Sequence, residues 1–141
     1  MVGKVDILLP VAAMVFVTLL IWIKLYIDRI GELKVDPQTI RNSTMGAGVL
    51  KRVESSDNFK NLFEVPVLFY ALCACLAAWD HVTPLFVIGA WLFVALRALH
   101  SYIHCTYNMV MHRFYAYAAG TVLIFALWGV FAFRLLTTQV M

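Results

Sequence analysis

Four long apolar runs, separated by shorter polar segments, dominate the pattern of hydrophobic and polar positions along this chain. The runs cover roughly residues 6–27, 62–79, 84–107 and 114–135. A helix needs about 20 apolar residues to cross a bilayer, and each run is close to that length. The pattern therefore predicts an all-α integral membrane protein, in which a bundle of four transmembrane helices forms a single domain over residues 1–141.

The polar segments between the runs predict how the helices are connected. Residues 28–60 are rich in charge and interrupted by glycine and proline, which indicates a long loop. Because so long a structureless loop is uncommon in a compact bundle, we expect its second half, from about Val49, to extend the second helix into water. A short turn is predicted at residues 80–84 and a tight corner at residues 108–112.

Composition supports a membrane location. Of the 141 residues 63% are hydrophobic and 13% are charged, whereas a soluble domain carries about 25% charged residues. The first run, from Ile7 to Ile23, is longer than the roughly 7–15 apolar residues of a signal peptide, so we expect it to be a retained span. The net charge of +3 is scattered, and no cluster of Lys and Arg carries interleaved aromatics, which argues against nucleic acid as a partner.

The distribution of Lys and Arg predicts the orientation of the chain in its membrane. Seven of these residues lie in or beside the first polar segment: Lys24, Arg29, Lys34, Arg41, Lys51, Arg52 and Lys60. Arg113 follows the corner at residues 108–112, whereas Lys4 and Arg134 lie at the other ends of the runs. Because basic loops stay in the cytoplasm, we expect the first loop and the corner to be cytoplasmic and both termini to lie on the opposite side. A bacterial inner membrane and the endoplasmic reticulum fit this pattern equally well.

Ionisable side chains also lie inside the apolar runs. A charge at the centre of a membrane helix costs roughly 2.5–3.5 kcal/mol, so such residues usually face a bundle interior or a wet cavity. Helical spacing arranges the polar residues in three stripes, one on each of the last three runs: Asn58, Asn61 and Glu64; Arg97, His100 and His104; Arg113 and Tyr117. Since each stripe begins or ends near the cytoplasmic face, we expect one polar pocket there, with Glu64 paired to Arg97.

Simpler interpretations of these residues are also open. Glu64 and Arg97 are consistent with a purely structural ion pair, and Arg113 with a lipid-headgroup contact. His100 and His104 are consistent with hydrogen-bonded core residues, and no Cys or carboxylate completes a metal shell around them, so we expect no metal. The three cysteines fit no zinc or disulfide pattern and are expected to pack as small hydrophobic residues.

Two groups of residues resemble a known family. The segment NFKNLFEVP at residues 58–66 resembles the Asn-x-x-Glu signature of the MAPEG family, the membrane-associated proteins in eicosanoid and glutathione metabolism. The family's later pattern of Arg, His, Tyr, Arg and Tyr also occurs in this chain, with the same intervals between its positions. The matching residues are Arg97, His100, His104, Arg113 and Tyr117, so a histidine occupies the first Tyr position. The spacing is closest to the microsomal prostaglandin E synthase and glutathione transferase branch, and the resemblance covers the whole chain.

The resemblance implies a homotrimer that binds glutathione as a cosubstrate at its cytoplasmic end, between adjacent subunits, while an apolar substrate enters from the membrane lipids. The residues that it assigns to glutathione binding are Asn61, Glu64, His100, His104, Tyr117 and, from the first helix, Arg29. Arg113 falls on the arginine that faces the glutathione sulfur, and it is the predicted catalytic residue. A fixed guanidinium suits that role because the thiolate, not the thiol, is the nucleophile.

Two positions depart from the family pattern. Many members carry an arginine four residues before the signature Asn, where this chain has Asp57. An aspartate cannot form an ion pair with a glutathione carboxylate. We therefore expect either that Lys60, Lys51 or Arg52 replaces that arginine or that the carboxylate contact is weaker. His104 stands where better-known members have Tyr, and histidine exchanges a proton near neutral pH, which a phenol rarely does.

We therefore expect a membrane-bound glutathione transferase or peroxidase that activates the glutathione thiol for attack on apolar electrophiles or lipid hydroperoxides. One alternative is a non-catalytic lipid-binding protein of the same family. Another is a small transporter, with a proton relay through Glu64, His100 and His104, or an assembly subunit whose ion pairs are purely structural.

Overall fold

The computed structural model describes residues 2–35 and 54–138. Within these two stretches the chain forms the helices α1 (Lys4–Val35), α2 (Glu54–Asn61), α3 (Val65–Ala78), α4 (Pro84–Cys105) and α5 (Val110–Thr138). The described residues contain no β-strand, so the prediction of an all-α fold is confirmed. The prediction of four membrane spans is also confirmed, because four segments are long and apolar enough to cross a bilayer: Lys4–Gly31, Ser56–Ala78, Pro84–Cys105 and Val110–Thr137.

The two ends of the bundle are defined by contacts between helices that are distant in sequence. α1 begins beside the turn between α3 and α4, where Lys4 forms a 2.9 Å ion pair with Asp80. At the other end, α2 packs against the last turns of α4, and the Ser101 hydroxyl donates to the Asn58 side chain at 3.2 Å. We call this second end, formed by α2 and the α4–α5 turn at residues 106–109, the site end.

α1 is longer than the first apolar run. Residues 28–35 continue the helix, whereas the sequence predicted a loop from residue 28. Lys24 and Asp28 lie one turn apart and form a 2.8 Å ion pair, which partly offsets both charges where the apolar run ends. The predicted start of the next helix near Val49 lies outside the described residues, within which α2 begins at Glu54.

A break at residues 62–64 separates α2 from α3, where the sequence predicted one continuous helix. Pro66 has no N–H to donate to the Leu62 carbonyl, and its ring would clash with that carbonyl in an unbroken helix. The Val67 N–H instead donates to the Glu64 carbonyl, three residues earlier rather than four, at 3.2 Å. Pro66 then occupies the first turn of α3. Backbone N–H groups in a first turn have no partner within the helix, so the missing N–H of proline costs no helical hydrogen bond.

α4 supplies the buried stripe on which both the core and the site are built. Its buried side chains recur every three or four residues and include Phe86, Ala90, Phe93, Arg97, His100 and His104. The stripe is apolar in the first half of the helix, where Phe93 stacks on Phe69 of α3 with ring centroids 4.8 Å apart. It is polar in the second half, so one continuous helix carries core residues at one end and site residues at the other.

Candidate functional site

A cavity of about 190 Å³ lies at the site end, between the end of α2, the second half of α4 and the start of α5. Its lining residues are Asn61, His100, Val110, Arg113, Phe114 and Tyr117. The polar members of this set all belong to the predicted pocket. The α4 and α5 residues meet there because both helices are unbroken over their stripes, so the three- and four-residue spacing places each stripe on one face.

The Arg113 guanidinium is held by two side chains. Its Nη1 donates to Asn108 Oδ1 at 2.8 Å and lies 3.1 Å from His104 Nε2. Because a guanidinium has only donors, the histidine nitrogen accepts in this contact. Arg113 is half-buried, and it lines the cavity with a fixed positive charge.

His100 is oriented by the backbone of α5. Its Nδ1 lies 3.0 Å from the Arg113 carbonyl oxygen, which only accepts, so this nitrogen carries the proton. Its ring also packs against Tyr117, with centroids 5.6 Å apart. The buried Nε2 of His100 has no hydrogen-bond partner among the described residues.

The predicted ion pair between Glu64 and Arg97 does not form. Tyr117 lies between the two residues: its hydroxyl donates to Glu64 Oε2 at 3.2 Å, and its ring faces Arg97. The break at residues 62–64 explains the difference, because it turns Glu64 out of the helical stripe that the prediction required. Glu64 is exposed, and it reaches the cavity only through the Tyr117 hydroxyl.

Arg97 is instead enclosed by aromatic rings. Its guanidinium carbon lies 4.6 Å from the Tyr117 ring centroid and 5.2 Å from that of Phe93. Only 1% of the residue is exposed, and none of its three side-chain nitrogens has a hydrogen-bond partner in the part of the chain that the structure describes. Gly120 lies beside it, and a Cβ there would lie 3.7 Å from Arg97 Nε, in ordinary van der Waals contact. The charge rests on the faces of two rings.

The three residues predicted to form the stripe on the second run lie in different environments. Asn58 is fully buried, and its side chain bonds Ser101 and, through Nδ2, the Cys105 sulfur at 3.3 Å. Asn61 is half-buried and lines the cavity. Asn58 therefore fastens α2 to α4, and Asn61 is the member of the stripe that reaches the site.

The other predicted binding residues lie outside the cavity lining. His104 is buried behind Arg113 and contacts it directly. Lys60 is exposed and pairs with Asp57 at 3.6 Å, one turn earlier on α2. Arg29 lies on α1 and is half-buried. Lys51 and Arg52, the other suggested replacements for the family arginine, lie outside the described residues.

The structure adds residues that the sequence did not single out for the site. Val110 and Phe114 form the apolar part of the cavity lining, and Asn108 holds Arg113 from the α4–α5 turn. The only signal for Asn108 was its residue type, because asparagine is common in turns that need a left-handed backbone. Within the described residues, no group of three His, Cys, Asp or Glu side chains is placed to hold a metal ion.

The positions of the three cysteines largely agree with the predicted packing role. Cys73 is buried, whereas Cys75 and Cys105 are half-buried, and all three are free of disulfides. Cys73 belongs to the apolar core, and Cys105 accepts the hydrogen bond from Asn58.

These features define a class, the small multi-pass membrane bundles with a polar cavity at one end. The family model for MAPEG matches residues 7–133, which is nearly the whole chain. The chain therefore belongs to the MAPEG family, and the resemblance found in the sequence is confirmed. No curated protein and no solved structure matches the chain.

Proposed function

We propose that this MAPEG protein is a glutathione transferase or glutathione-dependent peroxidase in which Arg113 stabilises the glutathione thiolate. The observation that carries the proposal is the half-buried Arg113 guanidinium at the wall of a cavity that also presents Asn61, His100 and Tyr117. A fixed cation beside an apolar wall formed by Val110 and Phe114 suits a small anion that must react with an apolar partner.

The chemistry follows from the ionisation of the thiol. A free thiol has a pKa of about 8.5, and each unit by which a nearby cation lowers it corresponds to about 1.4 kcal/mol. In a transferase the thiolate sulfur forms a bond to an electrophilic carbon, and the leaving group departs with its electron pair. In a peroxidase the sulfur attacks a hydroperoxide oxygen, an alcohol leaves, and a second glutathione converts the sulfenic acid to a disulfide.

The remaining polar residues would bind the tripeptide. The unpartnered Nε2 of His100 offers an acceptor, and the Asn61 amide offers both a donor and an acceptor. Glu64 carries a carboxylate suited to the glutamyl ammonium, and its bond to the Tyr117 hydroxyl holds it at the edge of the cavity. Lys60 and Arg29 do not line the cavity, so they would contact a glutathione carboxylate only where it extends beyond the cavity.

We also propose that a neighbouring subunit of a homotrimer completes the site. Ligand sites for molecules of this size measure about 300–1,000 Å³, and the cavity in one chain is only about 190 Å³. The long helices expose many large apolar side chains, including Phe16, Leu92, Phe114 and Phe125, which suits contacts with lipid and with other subunits. The site end would be cytoplasmic, and the branch of the family would be that of the prostaglandin E synthases and glutathione transferases.

The test is a glutathione titration of detergent-purified protein, with thiolate absorbance recorded at neutral pH for the wild type, Arg113→Ala and Arg113→Lys. We expect a saturable thiolate signal in the wild type that is lost in Arg113→Ala. Arg134→Ala removes the same residue type at the opposite end of α5, where Arg134 contacts Thr83 and Phe86, and it should keep the signal. Absence of the signal in correctly folded wild type would overturn the proposal.

A non-catalytic lipid-binding protein is the second candidate, and two observations favour it. Lys60, the described replacement for the family arginine, is already paired with Asp57, and Glu64 lies outside the cavity lining. Both features weaken the recognition of the two ends of glutathione. Tight fatty-acid binding, without any protection against unfolding by glutathione, would support this candidate over the enzyme.

A further inference from the structure

One nitrogen of Arg113 carries both of its side-chain anchors. Nη1 has two hydrogens, and it has two acceptors, Asn108 Oδ1 at 2.8 Å and His104 Nε2 at 3.1 Å. Two acceptors on one nitrogen fix the plane of the guanidinium as well as its position. Nε and Nη2 are the other donors with which Arg113 can meet a ligand.

Asn108 combines two properties, a left-handed backbone and a side-chain acceptor for Arg113. Its backbone lies in the left-handed region, with φ at 47°, and its N–H bonds the Ile103 carbonyl at 2.9 Å as α4 ends. Glycine adopts this conformation freely and asparagine tolerates it. Only asparagine of these two also has a side-chain oxygen, which here points to Arg113. The residue that turns the chain therefore also anchors the guanidinium.

His104 is placed for the same task. It is 2% exposed and does not line the cavity, so a ligand in the cavity meets Arg113 and not His104. Its ring packs edge-on against His100, with centroids 5.8 Å apart, which restricts its rotation. The contact at its Nε2 is thus made by a side chain that is itself held in position.

We propose that His104 and Asn108 are positioning residues that orient the Arg113 guanidinium toward the cavity and do not themselves bind glutathione. The inference rests on the proposed function for its catalytic consequence. Its structural content, that these two acceptors immobilise Arg113, is independent of glutathione. The proposal also replaces the expectation that His104 is a glutathione ligand.

The first test measures the rate at which phenylglyoxal modifies Arg113 in the absence of any ligand. Peptide mass spectrometry identifies the modified residues. Asn108→Gly keeps the turn and removes one acceptor, and His104→Leu removes the other. We expect each to raise the modification rate of Arg113 about tenfold, which corresponds to ~1.4 kcal/mol, because each variant loses a hydrogen bond that restrains the charged group. The rate at Arg134 in the same molecules is the internal standard.

Two further variants separate positioning from general loosening of the turn. His104→Gln keeps an acceptor oxygen and should restore slow modification. Tyr107→Phe alters the same turn but removes only the hydroxyl that lies 3.3 Å from His112, so it should leave the rate at Arg113 unchanged. Fast modification in His104→Gln, or a wild-type rate in Asn108→Gly, would overturn the inference.

The second test uses the thiolate absorbance of bound glutathione. We expect Asn108→Gly and His104→Leu to lower the thiolate fraction of bound glutathione about tenfold, because a guanidinium that is no longer held in position stabilises the thiolate less. Since ionisation of the thiol itself contributes to glutathione affinity, binding is measured with S-methylglutathione, whose sulfur cannot ionise; its affinity should change by less than about twofold, and His104→Gln should restore the thiolate. An equal loss of affinity would show direct binding and overturn the inference. Absence of thiolate in the wild type would overturn the proposed function, while phenylglyoxal would still decide the positioning of Arg113.

Discussion

The guanidinium carbon of Arg97 lies 4.6 Å from the centroid of the Tyr117 ring, and the hydroxyl of that ring donates to Glu64 at 3.2 Å. Tyr117 therefore separates a buried cation from the carboxylate that the sequence predicted as its partner. A cation over a desolvated aromatic face is stabilised by about 2 kcal/mol. The stability of this region should accordingly depend on the ring of Tyr117 more than on its hydroxyl.

Replacing Tyr117 tests this dependence. Tyr117→Phe keeps the ring and removes one half-exposed hydrogen bond, so we expect a loss of at most about 1 kcal/mol in the free energy of unfolding. Tyr117→Leu removes the ring as well, and we expect a further loss of about 1–2 kcal/mol. Thermal unfolding in detergent measures both variants. Equal losses would show that the hydroxyl, not the ring, supports Arg97.

Arg97 itself should be dispensable for folding. Its nitrogens have no hydrogen-bond partner in the described part of the chain, and replacing a buried charge by an apolar residue of similar volume is often neutral or stabilising by about 1–4 kcal/mol. We expect Arg97→Met to unfold at the same temperature as the wild type or at a higher one. Arg97→Lys keeps the charge but loses the planar group that stacks on the rings, and it should unfold at a lower temperature.

The reverse order of stability, with Arg97→Met well below Arg97→Lys, would show that the charge has an anionic partner in the assembled protein. Dynamic light scattering of each sample would separate loss of stability from aggregation.

The architecture was predictable from sequence because membrane spans are set by long apolar runs, and four of these are present. The boundaries were less accurate where a local interaction acted against the hydrophobic pattern. α1 continues past its apolar run, and Lys24 and Asp28 form an ion pair where that run ends. Pro66 breaks the second run even though hydrophobicity continues through it. Both features are present in the sequence, but each affects only a few residues. A prediction of spans from hydropathy alone therefore does not detect them.

The site was predictable to the extent that it lies on unbroken helices. His100, Arg113 and Tyr117 meet because α4 and α5 keep their periodicity, whereas Glu64 lies past the break and faces outward. The role of Asn108 was not predictable, since it depends on the backbone conformation of the α4–α5 turn. Spacing predicts which residues share a helix face, but not which residue in a turn reaches back to that face.

Asn58 provides a separate test of how α2 is fastened to the bundle. It is fully buried, and its side chain bonds both Ser101 and Cys105. Asn58→Ala should cost about 1–3 kcal/mol, because it removes two hydrogen bonds and leaves the buried Ser101 hydroxyl without its acceptor. Limited proteolysis should then cleave α2 faster than in the wild type.

Asn61→Ala is the matched control, because Asn61 lies one turn further along α2 and is half-buried at the cavity. We expect its proteolysis to match that of the wild type. Equal cleavage of the Asn58 and Asn61 variants would show that the buried hydrogen bonds do not hold α2 in place.

Gly89 tests the close approach of α4 and α5. A Cβ at this position would lie 2.8 Å from Leu127 Cδ1 and 2.9 Å from its Cδ2, and Leu127 is buried, so little space is left for it to move. Overpacking a core costs about 1–3 kcal/mol, while alanine gains up to about 1 kcal/mol over glycine in a helix, so we expect Gly89→Ala to lose about 1–2 kcal/mol.

The cause of that loss can be isolated with two companion variants. Gly129→Ala adds the same methyl group on α5, where nothing lies within 4 Å, and it should be neutral or stabilising. The double variant Gly89→Ala with Leu127→Ala should lose less free energy of unfolding than the two single variants lose together, because the new methyl group fills space that the shortened side chain vacates. Additive losses in the double variant would instead place the cost of Gly89→Ala in the backbone of α4 rather than in its contact with α5.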